Sequence, residues 1–482
     1  MKRLRSLYLL SIPILLLGAV FLLYGLLSLF VFEDQVHIAF FELAAGALIA
    51  GSLGLLGIPR SIGNIGYRES LLFVTLTWSA AGLLGGLPFV LINDLSFTDA
   101  TFEAISGLTT TGATVMTGLD AMPKTLLLYR QFLQWMGGLG VIILVVAIMP
   151  MLNIGGMRLY KAETPGPVKG EKLAPRISHT ARYLWYVYLV LTVGCAFSYW
   201  LAGMDAYDAI AHSFATVATG GFSTKDASIG YYDSIAIESV ANIFMLLGAI
   251  NFGLHFLVFN GRRPWLYWRD EETRWFIMIV ATAAIAIGLS LWLAGSFDDA
   301  GTSLRHGVFQ VISFITSTGF ASTGFAEWPA ASLLLLIILA YIGGCAGSTA
   351  GGNKVVRNVI TIKAILQEIK YLIHPRGVFT LKFNRRPIAR DVMDSVKGYM
   401  FLAAALTIIL TLILMMTGLD FLSALSAVSA CINVNGPAFG VLGSNFAPVS
   451  DIGTWILSIT MILGRLEFFT VLALFHPAFW QR

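Results

Sequence analysis

Apolar residues in this chain gather into long runs, not into alternating faces. Runs suited to spanning helices lie near 8–32, 38–58, 70–93, 125–151, 183–203, 235–260, 275–296, 330–358, 398–418 and 453–477. At about 20 residues per crossing each can span a bilayer. This predicts an all-α polytopic membrane protein with ten crossings. Four shorter segments, near 98–110, 206–218, 304–316 and 421–433, lie between some of them. They are too short to cross and fit re-entrant helices. Each runs into Gly, Thr, Ser or Asn, which give irregular backbone. Membrane depth tolerates such backbone only where protein or a water-filled cavity surrounds it.

Long helix, short helix, glycine turn and long helix recur four times. The turns read Thr110-Thr111-Gly112-Ala113, Thr219-Gly220-Gly221-Phe222, Ser317-Thr318-Gly319-Phe320 and Val434-Asn435-Gly436-Pro437. Their glycines are spaced by 109, 98 and 117 residues, a near-constant period expected of tandem units. The predicted division is two leading helices (1–66), then four helix–pore helix–filter–helix repeats: 67–178, 179–270, 271–392 with a broken last helix, and 393–482. Such repeats would surround a pseudo-fourfold pore.

Composition sharpens this. Of 482 residues, 57% are hydrophobic and 12% charged, against about 45–50% and 25% in soluble domains. A soluble multidomain enzyme and a disordered chain are excluded. The basic start, Met1-Lys2-Arg3-Leu4-Arg5, precedes an apolar run too long for a cleaved signal, so it is read as the first crossing. If the termini and segments 59–69, 152–182, 261–274 and 352–397 share one side, that side carries 26 of the 31 Lys and Arg, and the other four. The remaining one is Arg465. The basic side is expected to be cytoplasmic, so all four turns approach from outside.

A dehydrated monovalent cation needs oxygens in place of water, and rings of backbone carbonyls supply them. Glycine permits φ > 0 and so helps aim successive carbonyls at one axis. The short helices would turn their negative C-terminal ends to the centre. The four quartets hold no charge, which favours a weakly hydrated monovalent ion over calcium with its carboxylates. A single such turn is as readily a helix cap or a packing glycine; four in register are not.

Two further features stand out. Gly343-Gly344-Cys345-Ala346-Gly347-Ser348-Thr349-Ala350-Gly351-Gly352-Asn353-Lys354 interrupts the last helix of the third unit. Small residues can form a close-packing helix face, but glycine costs a helix about 1 kcal/mol each relative to alanine. A broken helix with a mobile intramembrane loop, acting as a gate, is the favoured reading. Arg465 is expected mid-helix, where an arginine costs at least about 2.5 kcal/mol. It is read as a cationic barrier opposed to the loop, the alternative being an inter-helix anchor. Glu467, two positions on, should point elsewhere.

Cys195, Cys345 and Cys431 lie far apart in apolar stretches and are read as buried thiols. Lone histidines such as His212 and His255 are read as satisfied packing residues. Walker, dinucleotide and catalytic-triad signatures are absent, so no covalently bound cofactor is expected and any nucleotide sensing resides in another chain. The basic segment 355–397 offers a docking surface or a contact with anionic lipid.

These motifs resemble the Trk/Ktr/HKT superfamily of cation transporters, and its TrkH-type bacterial potassium uptake branch most closely. The resemblance spans nearly the whole chain. It rests on Thr109–Thr114, Gln134-Trp135-Met136-Gly137-Gly138-Leu139-Gly140, Glu163–Lys169, Gly220–Thr224, Gly343–Gly352 and Gly464-Arg465-Leu466-Glu467. It implies a potassium uptake protein and homodimer of the bacterial inner membrane, with both termini cytoplasmic. A cytosolic ring of TrkA-like nucleotide-binding subunits would open the loop. Potassium, the transported ligand, would be coordinated at Thr111, Gly112, Gly220, Gly221, Thr318, Gly319, Asn435 and Gly436. The gate would comprise Gly343, Gly344, Gly347, Ser348, Thr349, Gly351, Gly352 and Arg465. In this superfamily a serine at the first-turn glycine goes with sodium; here Gly112 favours potassium. Asn435 and Asn353 depart from the apolar residues expected there. The alternatives are a sodium-permeable or sodium-coupled relative, an intramembrane lipid-modifying enzyme centred on Arg465, Glu467 or a histidine, and a symporter for an organic solute. The last fits four equivalent turns poorly.

Overall fold

The computed structural model describes residues 2–56, 67–147, 173–325 and 327–481. The predicted basic stretches at 59–66 and 152–172, with the Glu163–Lys169 motif, lie outside them.

Helices occupy nearly every predicted run, with one two-stranded hairpin, Lys382–Phe383 paired with Arg386–Pro387. Lys2–Leu27 and His37–Leu56 pack together and cover the helix Lys124–Ala147. Phe21, Tyr24 and Phe40 surround Tyr129 there. Asp34 ties the connection down by accepting from Thr125 N at 2.8 Å.

The four short helices are Phe97–Thr109, Ala206–Val217, Ala300–Ile315 and Phe421–Ile432. All four start at a side-chain cap. Ser96 accepts from Asp99 N, Asp205 from Asp208 N, Asp299 from Thr302 N, and Asp420 from Leu422 N and Ser423 N. Each cap satisfies amides that the first helical turn leaves free. Packing of these helices is cyclic. The second lies against Lys124–Ala147, the third against Ile235–Ala249, the fourth against Ala330–Ile342, and the first against Asp451–Arg465. Every short helix therefore rests on the returning helix of the preceding quarter, and the circuit closes from fourth to first.

Among the described residues, six helices are long and apolar enough to cross a membrane, or up to eight if two bent pairs are each one span. The bends correct the expectation of straight crossings at 235–260 and 453–477. Ile235–Ala249 and Phe252–Gly261 meet at 99°, and Asp451–Arg465 and Phe468–Phe475 at 115°. At the first break Asn251 Oδ1 accepts from Gly253 N at 2.7 Å and caps a new helix. At the second, Glu467 takes φ +60°, and its carboxylate is gripped by Arg357 Nη2 at 2.8 and 2.9 Å. Arg465 is thus the last residue of its helix, not a mid-helix residue, and Glu467 lies beyond the helix end. The third unit is also broken: the chain leaves the helix after Ile342 and re-enters at Val355, as the broken-helix reading expects and a continuous small-residue helix does not.

Candidate functional site

Each short helix ends in the same closure. Thr110 N and Thr111 N donate to Gly107 O and Ser106 O; Thr219 N and Gly220 N to Thr216 O and Ala215 O. Ser317 N and Thr318 N donate to Phe314 O and Ser313 O; Val434 N and Asn435 N to Cys431 O and Ala430 O. This is the paired closure that normally ends on a glycine. Here non-glycine residues occupy the left-handed position: Thr110, Thr219, Ser317 and Val434, at φ +52° to +57°. Holding a β-branched residue there costs of order 1–3 kcal/mol. Two residues on, Gly112, Gly221, Gly319 and Gly436 return to φ +78° to +90°.

These glycines meet one another across the units. A Cβ on Gly112 would lie 2.1 Å from Gly220 O, and one on Gly221 1.8 Å from Thr318 O. On Gly319 it would lie 2.2 Å from Asn435 O, and on Gly436 2.6 Å from Thr111 O. The four approaches run first to second to third to fourth to first. All four glycines also line a single cavity of about 500 Å³ together with outgoing residues such as Thr114, Ser223, Ser322 and Ala438. The eight predicted coordinating residues are therefore brought together around one centre. Asn435 is buried there, and its Oδ1 has no hydrogen-bond partner. Among the described residues no group of three or more His, Cys, Asp or Glu could hold a metal ion.

A polar shell supports the turns. Sequence reasoning quoted Gln134 only within a family motif and missed Arg130 and Glu103. Gln134, fully buried, donates from Nε2 to Gly220 O at 2.6 Å, and its Oε1 accepts from Phe222 N at 3.1 Å. Arg130 and Glu103 form a fully buried pair at 2.6 Å. Arg130 also donates to Ser223 O at 3.0 Å and stacks over Phe222 at 3.4 Å. Glu103 accepts from Val115 N and the Thr114 hydroxyl. His212 bridges Asp208 O and the Ser223 hydroxyl, and His255 bridges Leu247 O and the Tyr267 hydroxyl. Both histidines are satisfied, as expected. Glu103 and Arg130 sit in apolar stretches, a signal that membrane-embedded charge carries. The three cysteines are buried and unpaired by disulfides.

Residues 343–354 lie directly beneath the turns. Thr349 Oγ1 donates to Val217 O and Gly248 O at 3.1 and 3.0 Å and accepts from the Thr219 hydroxyl at 3.2 Å. Gly351 N donates to Ser317 Oγ, and Gly352 N to Asn433 O at 3.1 Å. A Cβ on Gly351 would lie 2.1 Å from Asn433 O, so the loop backbone runs against the ends of three short helices. Arg465, buried, donates from Nη1 to Thr349 O at 3.0 Å and from Nη2 to Gly137 O at 3.3 Å. Glu272 Oε1 accepts from Ala346 N at 2.8 Å and Val356 N at 3.1 Å, holding both ends of the loop. No sequence pattern pointed to Glu272, whose partners are backbone amides remote in the chain. The predicted gate residues are thus in one place, with Arg465 bonded to the loop. The position is telling. In the other three units one glycine of the returning helix abuts a short-helix carbonyl: Gly137 on Leu108 O, Gly248 on Val217 O and Gly464 on Ile432 O. The third unit has the loop at that level.

Helices wrapped around four carbonyl-bearing turns, with a loop under them, define a polytopic helical cation transport protein. Residues 64–482 match the model of the TrkH family, described as cation transport protein, and the chain belongs to that family. It is 44% identical over 470 residues, 97% of each chain, to the Trk system potassium uptake protein TrkH of Salmonella typhimurium. It is 39% identical over 416 residues to the Trk system potassium uptake protein TrkG of Escherichia coli, 86% of each chain. The crystal structure of the potassium transporter TrkH from Vibrio parahaemolyticus superposes with a TM-score of 0.92 at 41% identity, covering 100% of both chains.

Proposed function

We infer that this chain is a potassium uptake protein, a membrane transporter and not an enzyme, whose ion path runs through the four turns. Relatives named for potassium uptake over nearly the full length support this. The carbonyls of Thr111, Gly112, Gly220, Gly221, Thr318, Gly319, Asn435 and Gly436 replace water around the ion. Carbonyl oxygen has two lone pairs, so Gly220 O can serve the ion while Gln134 holds it in place. The cyclic approach of each glycine to the next unit's carbonyl is the single observation that carries the reading. The loop 343–352, latched by Arg465, blocks the path below the ring. Arg465 adds a positive charge at the same level, which repels a cation until the latch opens. Consistent with its many basic residues, the side carrying 261–274 and 352–397 is cytoplasmic, as are both termini. There a TrkA-like nucleotide-binding subunit of the Trk system acts on a homodimer in the bacterial inner membrane.

The test is cation flux into vesicles holding the purified protein, with and without Gly112→Asp. Potassium flux is expected to collapse in the variant while the protein stays folded by circular dichroism. Equal potassium flux in both would remove the filter assignment.

A further inference from the structure

On the side assigned as cytoplasmic, a cavity of about 690 Å³ opens between the helices 173–201 and 252–261 and the hairpin 382–387. One wall is apolar and aromatic: Leu254, Phe256, Leu257 and Tyr183. The lining also carries four arginines, Arg269, Arg274, Arg385 and Arg386. All four are exposed, and among the described residues none of their guanidiniums has a hydrogen-bond or ion-pair partner.

Two acids share the cavity, yet their oxygens are engaged. Asp270 Oδ2 accepts from Thr273 N and Thr273 Oγ1 at 2.8 Å each, and its Oδ1 from Asn384 Nδ2 at 3.0 Å. Glu271 Oε2 accepts from Asn384 N at 2.8 Å, and its Oε1 pairs with Lys363. These bonds dock the hairpin, and they leave the guanidiniums as the uncommitted charge. Guanidinium forks suit phosphate oxygens in pairs. Trp265 and Trp268, 49% and 69% exposed, closely precede Arg269 in the chain, and tryptophan is enriched at the membrane–water boundary.

We propose that this cavity binds the phosphate headgroup of an anionic phospholipid from the cytoplasmic leaflet, its acyl chains lying along the apolar wall. The site adjoins Glu272, so an occupant touches the segment that anchors the loop. The proposal rests on the orientation given above, but lipid retention in detergent does not depend on sidedness.

The test is native mass spectrometry of the purified full-length protein with added phosphatidylglycerol, phosphatidylcholine or inorganic phosphate. Wild type should retain phosphatidylglycerol over phosphatidylcholine. Arg385→Gln with Arg386→Gln should weaken that retention about 25-fold, at about fivefold per arginine. Arg385→Lys with Arg386→Lys should keep most of it. Equal retention of the two lipids, or strong binding of inorganic phosphate without lipid preference, would overturn the lipid assignment. Unchanged retention in the glutamine variant with loss of binding to a cytosolic subunit would instead assign the arginines to protein docking. Potassium flux measured on the same preparations separates a failed lipid site from a failed transport reading.

Discussion

The ring of turns and the loop beneath it are both glycine-rich, uncharged backbone at membrane depth, yet they are held in different ways. Each turn is closed by its own short helix through two backbone bonds that recur unchanged in all four units. Its glycine is then locked by the carbonyl of the next unit. The loop has few bonds of its own. It hangs on the side chains of Thr219, Ser317, Glu272 and Arg465 and on backbone bonds with Gly248, Ala249, Phe252 and Asn433, all of which belong to other elements. Local closure makes a segment rigid whatever its neighbours do. A segment held mainly by remote elements can be released when those neighbours move. On the function proposed above, the ring would serve as the fixed ion site and the loop as the movable obstruction.

Substitutions can break this contrast. The largest effect is expected at Gly221→Ala, where a methyl would stand 1.8 Å from Thr318 O. A displacement costing about 3 kcal/mol reads as roughly a hundredfold loss of potassium flux, measured by rubidium uptake into vesicles. Retained flux would mean that the ring tolerates distortion. Next is Arg465→Gln, which weakens the latch on Thr349 and Gly137. Bonds from a charged group are worth about 1.5–3 kcal/mol each, so flux without any cytosolic partner should rise about tenfold or more. A fall in flux would show that Arg465 serves the path as structure and not as a latch. Glu272→Ala frees two loop amides and, at a minimum of about 0.5 kcal/mol per bond, should raise basal flux about fivefold. Asn435→Val removes a buried amide whose Oδ1 has no partner and should shift the potassium-to-sodium flux ratio about twofold, leaving total flux intact. The smallest effect concerns pH. Hydrogen bonds from the Thr302 hydroxyl and amide hold the exposed Asp299 carboxyl below its usual value. A depressed carboxyl contributes stability above its unfolded pKa, about 3.9, and loses it as pH falls through the folded value. Helicity should thus be flat from pH 8 to 5, and Asp299→Ala should change it little.

Much of the fold was legible because hydrophobic length is a local quantity. The four short runs became helices within a few residues of their predicted limits, and the ten long runs are helical over most of their described residues, three of them broken or bent. The bends at 251 and 467 were not legible, since Asn251 stands in a largely apolar run and Glu467, with Arg465, reads as membrane-embedded charge and not as a helix end. The second bend forms where Glu467 pairs with Arg357, 110 positions away in the chain. Of the site, the glycines announced themselves by their recurrence. Gln134, Glu103, Arg130 and Glu272 did not, because each acts on backbone groups of other units.

From its residues alone this chain was bound to be helical, membrane-embedded and fourfold in pattern, because side-chain hydrophobicity and glycine spacing act along the sequence. Only the tertiary arrangement decided that the four turns face one another, that Arg465 ends a helix and grips Thr349, and that the third unit's break lies under the ring. Those contacts join residues from separate quarters, and no local preference specifies which carbonyl a distant glycine will meet.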